Sequence, residues 1–286
     1  YGSNMFLYPI GLMADPYIFL EHTHRLFGTL VGLTMLSLMI AVLVSRASRF
    51  SKVLAVCVFL GVCVQGVLGG IRVTNINPAF GAVHGVLAQI IFGSAVILAA
   101  SLTGAWRLHV SLPTETERAA KISRGFAVAT AACLLIQLTL AALYRHTGST
   151  HALWTHIGFA IVVTIVVALL GFMLQQAERY SEAGRTMRWI GRAMLVVVTF
   201  QFVLGFGAWA VAGEGGPGRV VPTEAIGTVE GPAIGRTIIA TIHQANGAFL
   251  LALTSLALGW AYRLGRSAPA GNPEKAGNPG AVPALG

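Results

Sequence analysis

Seven long stretches without a single Asp, Glu, Lys or Arg constrain this chain more than anything else in it. They lie between Arg25 and Arg46, Lys52 and Arg72, Arg72 and Arg107, Arg124 and Arg145, Arg145 and Glu178, Arg192 and Glu214, and Arg236 and Arg263. Each holds an apolar segment near the roughly 20 residues that a helix needs to cross a bilayer. In lipid every backbone N–H and C=O must be paired internally, which a helix achieves within one segment. A barrel would instead alternate apolar and polar residues. The spacing predicts seven spanning helices, at about 18–44, 53–71, 80–104, 124–143, 151–176, 188–212 and 237–262.

Composition agrees. Of 286 residues only 10% are charged and 55% are hydrophobic, whereas a soluble domain carries about 25% charged residues. So few charges cannot cover a globular surface. That excludes an ordinary cytosolic enzyme, a disordered chain and a disulfide-rich secreted scaffold. The fold class is all-α, a polytopic membrane protein.

The net charge of +9 does not mark a nucleic-acid binder, because the basic residues sort by loop rather than along one face. Arg46, Arg49 and Lys52 lie in one loop. Arg107, Arg118, Lys121 and Arg124 lie in the next loop but one, then Arg179, Arg185, Arg188 and Arg192, and finally Arg263, Arg266 and Lys275. The opposite side holds only Arg25, Arg72, Arg145, Arg219 and Arg236. The positive-inside rule puts the first set, and the C-terminus, in the cytoplasm. The first span then starts outside. The chain opens on Tyr1 and its first 17 residues lack the n-region and cleavage site of a signal peptide. An upstream helix, making eight in all, is therefore expected, with this sequence an N-terminally truncated form. The tail from Ser267 to Gly286 is rich in Pro, Gly and Ala and is expected to be disordered.

Cys57, Cys63 and Cys133 all lie in apolar runs and read as small packing residues. No C-x-x-C-H occurs, so no c-type haem attachment is encoded. Trp154, Trp189, Trp209 and Trp260 sit near span ends, where interfacial aromatics gather.

Four of the eight histidines fall at corresponding places: His24 in the first span, His84 in the third, His156 in the fifth and His243 in the seventh. All four lie near the outer ends of their helices, and ionisable residues within spans are costly and usually functional. Each reads H-x-x-x-[GA], with Gly28, Ala88, Ala160 and Gly247 one turn deeper on the same face. A small residue there leaves room for a flat macrocycle, although close helix packing asks for the same thing. A second repeat pairs Gln65-Gly-Val-Leu-Gly69 with Gln201-Phe-Val-Leu-Gly205, with a looser copy at Gln137-Leu-Thr-Leu-Ala141. The two repeats align the first three spans with the last three. With the upstream helix added, two pseudo-repeated four-helix bundles result. The division is 1–122, 123–265 and a tail at 266–286. Two imidazoles facing each other across a bundle are suitable axial ligands for haem iron. Zinc or copper would ask for three or four ligands packed together, and structural histidines bonded between helices are the remaining reading.

The start of the first span reads Glu21-His22-Thr23-His24-Arg25-Leu26-Phe27-Gly28. Glu21 and His24 are i,i+3, and Glu21 and Arg25 are i,i+4, so the three share a face. A carboxylate one turn from an iron ligand can handle protons beside an oxidised substrate. It can equally be an acid in the helix's first turn, paired with Arg25. Three residues before His156 stands Leu153, so the halves are chemically unequal. His22 points away from His24, His109 reads as a solvated loop residue, and His146 and His151 as residues of the loop beside Arg145.

The sequence resembles the haem A synthase family in its E-x-x-H-R at Glu21, His24 and Arg25, followed by spans bearing His84, His156 and His243. The likeness runs over residues 1–265. It implies eight helices in two halves. His156 and His243 would ligate a cofactor haem b, and His24 and His84 would line the site for the substrate, haem O. Glu21 would be the catalytic carboxylate. The implied reaction oxidises the C8 methyl of haem O to a formyl group by successive hydroxylation, as a step of cytochrome oxidase assembly. Arg25, Arg72 and Arg145 would pair with haem propionates by their location. The implied partners are haem O synthase (protohaem farnesyltransferase), cytochrome oxidase and an electron donor that the sequence does not name. No nucleic acid is expected, and helices of this kind can self-associate into a homo-oligomer. The implied location is a bacterial plasma membrane or equivalent inner membrane. Some members of the family carry a cysteine pair in outer loops, and no cysteine lies in a loop here. The alternative is a dihaem b-type electron-transfer protein linked to quinone, which would need the four histidines but not Glu21. A transporter or assembly factor with structural histidines would show no Soret band.

Overall fold

The computed structural model describes residues 10–74, 77–107, 114–177, 182–212 and 234–264. The readings made above for His109, Arg179, Arg219, Arg266, Lys275 and the tail at 266–286 lie outside the described residues. Within them the secondary structure is wholly helical. A 3-10 turn at Ile10–Ala14 leads into α1 (Pro16–Val44), α2 (Arg49–Thr74), α3 (Pro78–Ser101), the single-turn α4 (Gly104–Arg107), α5 (Thr114–Thr147), α6 (Thr150–Gln175), α7 (Glu182–Ala212) and α8 (Ile234–Leu264). All but α4 are long and apolar enough to cross a membrane, seven spans among the described residues. The chain is a multi-pass membrane protein.

The helices outrun their apolar segments. The fourth span was expected from about 124, but α5 begins at Thr114. The sixth was expected from about 188, but α7 begins at Glu182. Apolarity marks only the depth of the bilayer, while the backbone ladder continues into polar turns wherever nothing stops it. The third span ends sooner than expected, at Ser101, and α4 follows as a separate turn.

Local stops are chemical. Asn77 caps α3 by accepting from the Ala79 N–H at 2.9 Å, and Pro78 fills the first helical position, where no N–H is needed. Between α5 and α6 the chain turns on two residues. Gly148 takes a positive φ of 68°, which a side chain would resist. Ser149 then caps α6 by accepting from Ala152 N–H at 3.2 Å. So short a turn corrects the loop reading of this region. Arg145 and His146 stand in the last turn of α5, and His151 in the first turn of α6.

Helices α5, α6, α7 and α8 close a ring, each packed on the next and α8 back on α5. Helices α1, α2 and α3 form a row, joined to the ring where α3 packs on both α5 and α8. Val167, Leu170, Met194, Leu250 and Leu253 are buried at the centre of the ring. Gly171 and Gly191 let α6 and α7 approach backbone to backbone: a Cβ on Gly191 would lie 2.5 Å from the Gly171 carbonyl. At the end of the bundle away from the histidines, Trp260 is buried against Trp106, ring centres 5.2 Å apart, and Arg263 Nε donates to the Trp106 carbonyl at 3.1 Å. That corrects the interfacial reading of Trp260. Trp154, Trp189 and Trp209 are exposed. The cysteine reading is also corrected in part. Cys133 packs against the core, but Cys57 and Cys63 are exposed. An apolar run in a membrane does not distinguish the core face from the lipid face, because both favour the same residues.

Candidate functional site

Successive spans alternate in direction, so α1, α3, α6 and α8 all begin at one end of the bundle. His24, His84, His156 and His243 each lie about two turns into those helices. The four are therefore at one level. The returning helices α2, α5 and α7 carry a glutamine at that same level: Gln65, Gln137 and Gln201.

His156 and His243 form a pair across the ring. Their ring centres are 6.4 Å apart and the planes cross at 79°. Two imidazoles trans on one metal need a separation of about 6 Å: roughly 2 Å per metal–nitrogen bond, plus the distance from nitrogen to ring centre on each side. His156 Nδ1 lies 3.1 Å from the Gln137 carbonyl. A carbonyl only accepts, so Nδ1 carries the proton and Nε2 keeps its lone pair, the arrangement that a coordinating histidine uses. Gln137 Nε2 in turn donates to the His156 carbonyl at 2.9 Å.

His243 is held differently. Gln201 Nε2 lies 3.2 Å from His243 Nε2. Gln201 Oε1 accepts from Asn246 Nδ2 at 2.8 Å, and Asn246 Nδ2 also donates to the Val197 carbonyl at 3.0 Å. His243 Nδ1 is buried without a hydrogen-bond partner. The ring lies against Gly205, where an added Cβ would come within 3.4 Å of His243 Cε1.

The first half repeats part of this. His84 lies against Gly69, with 3.3 Å from an added Cβ to its Cε1. Gln65 Nε2 donates to the His84 carbonyl at 2.7 Å, and Gln65 Oε1 is buried without a partner. His24 and Arg72 lie within electrostatic range of His84. Arg72 is in the last turn of α2, not in a loop. His24 itself is exposed, with open space beside Gly28. Glu21 and Arg25 form an ion pair one turn from His24. Glu21 stands inside α1 rather than in its first turn, so its partner is Arg25 and not the helix end.

Arg145 and His146 reach from the end of α5 to both halves. Arg145 Nη1 donates to Gln244 Oε1 at 2.6 Å, beside His243. The His146 ring lies on Gly81, one turn before His84, and a Cβ there would meet His146 Nδ1 at 2.6 Å.

The paired rings, the bare Nε2 of His156 and the orphaned Nδ1 of His243 fit a bis-imidazole haem iron. Among the described residues no three His, Cys, Asp or Glu side chains gather as a metal cluster. Gly69 and Gly205, on neighbouring helices, face the His84 and His243 imidazoles. At Gly247 the space is taken by Gln201, 3.2 Å from an added Cβ, so the H-x-x-x-[GA] reading does not hold there. The glutamines were visible in the sequence only as a repeat marker. Their contact with the histidines has a sequence signal in the spacing: Gln65 to His84 and Gln137 to His156 are both 19 residues apart.

No curated protein and no solved structure matches the chain. One family does match, over residues 13–154. That stretch takes in Glu21, His24, Arg25, Arg72, His84 and Arg145 and ends just short of His156. By that match residues 13–154 belong to the COX15-CtaA family of cytochrome oxidase assembly proteins, the haem A synthase family.

Proposed function

We propose that this protein is a haem A synthase, a haem-dependent oxidoreductase that oxidises the C8 methyl of haem O to a formyl group. The observation that carries the reading is the His156–His243 pair at 6.4 Å, in a chain whose other half belongs to an assembly family for a haem-containing oxidase. His156 and His243 hold haem b. Bound there, it supplies one-electron transfer at the bundle's histidine end.

The substrate, haem O, lies in the first half between His24 and His84. The exposed His24 and the open space at Gly28 suit a ligand that enters and leaves. Glu21 moves protons at the C8 substituent: it takes one from a hydroxyl of the gem-diol and gives one to the hydroxyl that leaves as water. Arg25 orients the Glu21 carboxylate by their ion pair. Leu153 at the matching position of the second half offers no such group, so the chemistry is confined to the first. Arg25, Arg72 and Arg145 are placed by sequence near the ligands and pair with propionates. The substrate comes from haem O synthase, the product goes to cytochrome oxidase, and a separate donor or acceptor handles the electrons. The histidine end faces outward and the C-terminus lies in the cytoplasm, by the loop charges.

The test is extraction of haems from a host that makes haem O but lacks its own haem A synthase. Haem A in cells bearing this chain, lost in Glu21→Ala while haem b remains, is the expected result. Haem b alone, with haem O unchanged and normal dihaem redox behaviour, would replace this reading with the electron-transfer one.

A further inference from the structure

The geometry points to a binding site for the phosphate of an anionic phospholipid at Arg124, between α5 and α8 at the end of the bundle away from the histidines. The site is separate from the histidine end and does not rest on the haem reading.

Arg124 stands near the start of the span Ile122–Thr147, and Tyr262 near the end of the span Thr237–Leu264. Both are therefore at the level of lipid headgroups, where the amphipathic ring of a tyrosine also belongs. The Arg124 guanidinium carbon lies over the Tyr262 ring, 4.9 Å from its centroid. That contact occupies the face of the guanidinium and leaves its edges, where all the N–H groups are. Nε and Nη2 are shielded from water and have no hydrogen-bond partner. Two other arginines of this end are served by the protein itself. Arg263 Nε donates to the Trp106 carbonyl at 3.1 Å, and Arg188 Nη1 donates to the Ala177 carbonyl at 2.8 Å. Shielded donors left unpaired are costly. An arginine cannot escape that cost by losing its charge.

The missing acceptor has a definite chemistry. Nε and Nη2 lie along one edge and point the same way, a fork that matches two oxygens of a phosphate. Arg124 is half-buried rather than sealed, so a turn of the guanidinium over the Tyr262 ring brings that fork to a headgroup. The depth selects a lipid over a soluble anion. One turn deeper on the same face of α5 is Val128, 44% exposed, and Tyr262 across from it is 42% exposed. An acyl chain below the phosphate covers Val128. A zwitterionic headgroup brings its own cation to the phosphate and competes with the arginine, so an anionic lipid is favoured.

The test uses the full chain, stripped of lipid in detergent and titrated with dioleoyl phosphatidylglycerol while native mass spectrometry counts bound lipids. The wild type should hold one such lipid at least tenfold more tightly than those that follow, and at least tenfold more tightly than dioleoyl phosphatidylcholine. Arg124→Gln should lose that first tight lipid. Arg124→Lys, which keeps the charge and gives up the fork, should lose it as well. Arg192→Gln removes an exposed cation near the start of α7, at the same end, and should bind like the wild type. A wild type with no preference for phosphatidylglycerol overturns the inference. So does a preference that survives in either Arg124 variant, or one lost equally in Arg192→Gln. Inorganic phosphate titrated alone should not displace the lipid. Phosphate bound at Arg124 more tightly than the lipid would overturn the lipid assignment in favour of a soluble anion. Should Arg124→Gln fail to fold, Arg124→Lys and the wild-type preference decide.

Discussion

Gln137 and His156 hold each other twice. The glutamine amide donates to the histidine carbonyl at 2.9 Å, and the histidine ring nitrogen meets the glutamine carbonyl at 3.1 Å. One residue of α5 thus fixes both the backbone and the tautomer of a residue on α6. A membrane interior offers no water to replace either bond.

Gln137→Leu removes the side-chain bond and leaves the ring contact, which uses only the backbone. A hydrogen bond of this kind between membrane helices is worth about 1 kcal/mol. The expected result is a small loss of thermal stability in detergent with the haem spectrum retained. His156→Leu should abolish the low-spin haem b spectrum outright. Loss of haem in Gln137→Leu would show that the amide, and not the carbonyl, sets the ligand.

Glu21→Gln keeps the shape of the side chain and removes its charge. It should leave helicity and haem b content unchanged and lower haem A output by about a hundredfold or more, the usual scale for a lost general acid–base group. Quantifying both haems from one membrane preparation checks this. Normal haem A output would return Glu21 to the role of a simple ion-pair partner of Arg25.

Gly191→Ala places a methyl 2.5 Å from the Gly171 carbonyl on the facing helix. Neither backbone can yield cheaply, so α6 and α7 must separate. Overpacking of this sort costs about 1–3 kcal/mol. Gly28→Ala meets nothing within 4 Å and should be neutral or slightly stabilising, since alanine favours the helix. Melting the two variants side by side tests the contrast. If Gly28→Ala nevertheless lowers haem A output, the open space beside His24 is where substrate sits.

Gly81→Ala drives a methyl into the His146 ring, 2.6 Å from its Nδ1. The ring must leave α3. The expected outcome is reduced haem O uptake in the first half, read as a weaker spectral shift on titration, with the haem b spectrum unaffected. An unchanged titration would mean that His146 only fills space.

The class of the protein and the common level of His24, His84, His156 and His243 could be read without the fold. Uncharged runs long enough to span a bilayer leave the backbone one economical option, and histidines in alternate antiparallel helices must fall at one end. Glu21 and Arg25 were legible as a pair because four residues make one turn. The tertiary structure decided everything that depends on which helices touch. That Gln201 meets the His243 ring while Gln65 meets the His84 backbone is information no helical period carries. The exposure of Cys57 and Cys63, the burial of Trp260, and the placing of His146 on Gly81 were equally hidden. In a bilayer, apolar side chains suit both the lipid and the core, so hydrophobicity locates a helix in depth and leaves its rotation and neighbours to packing.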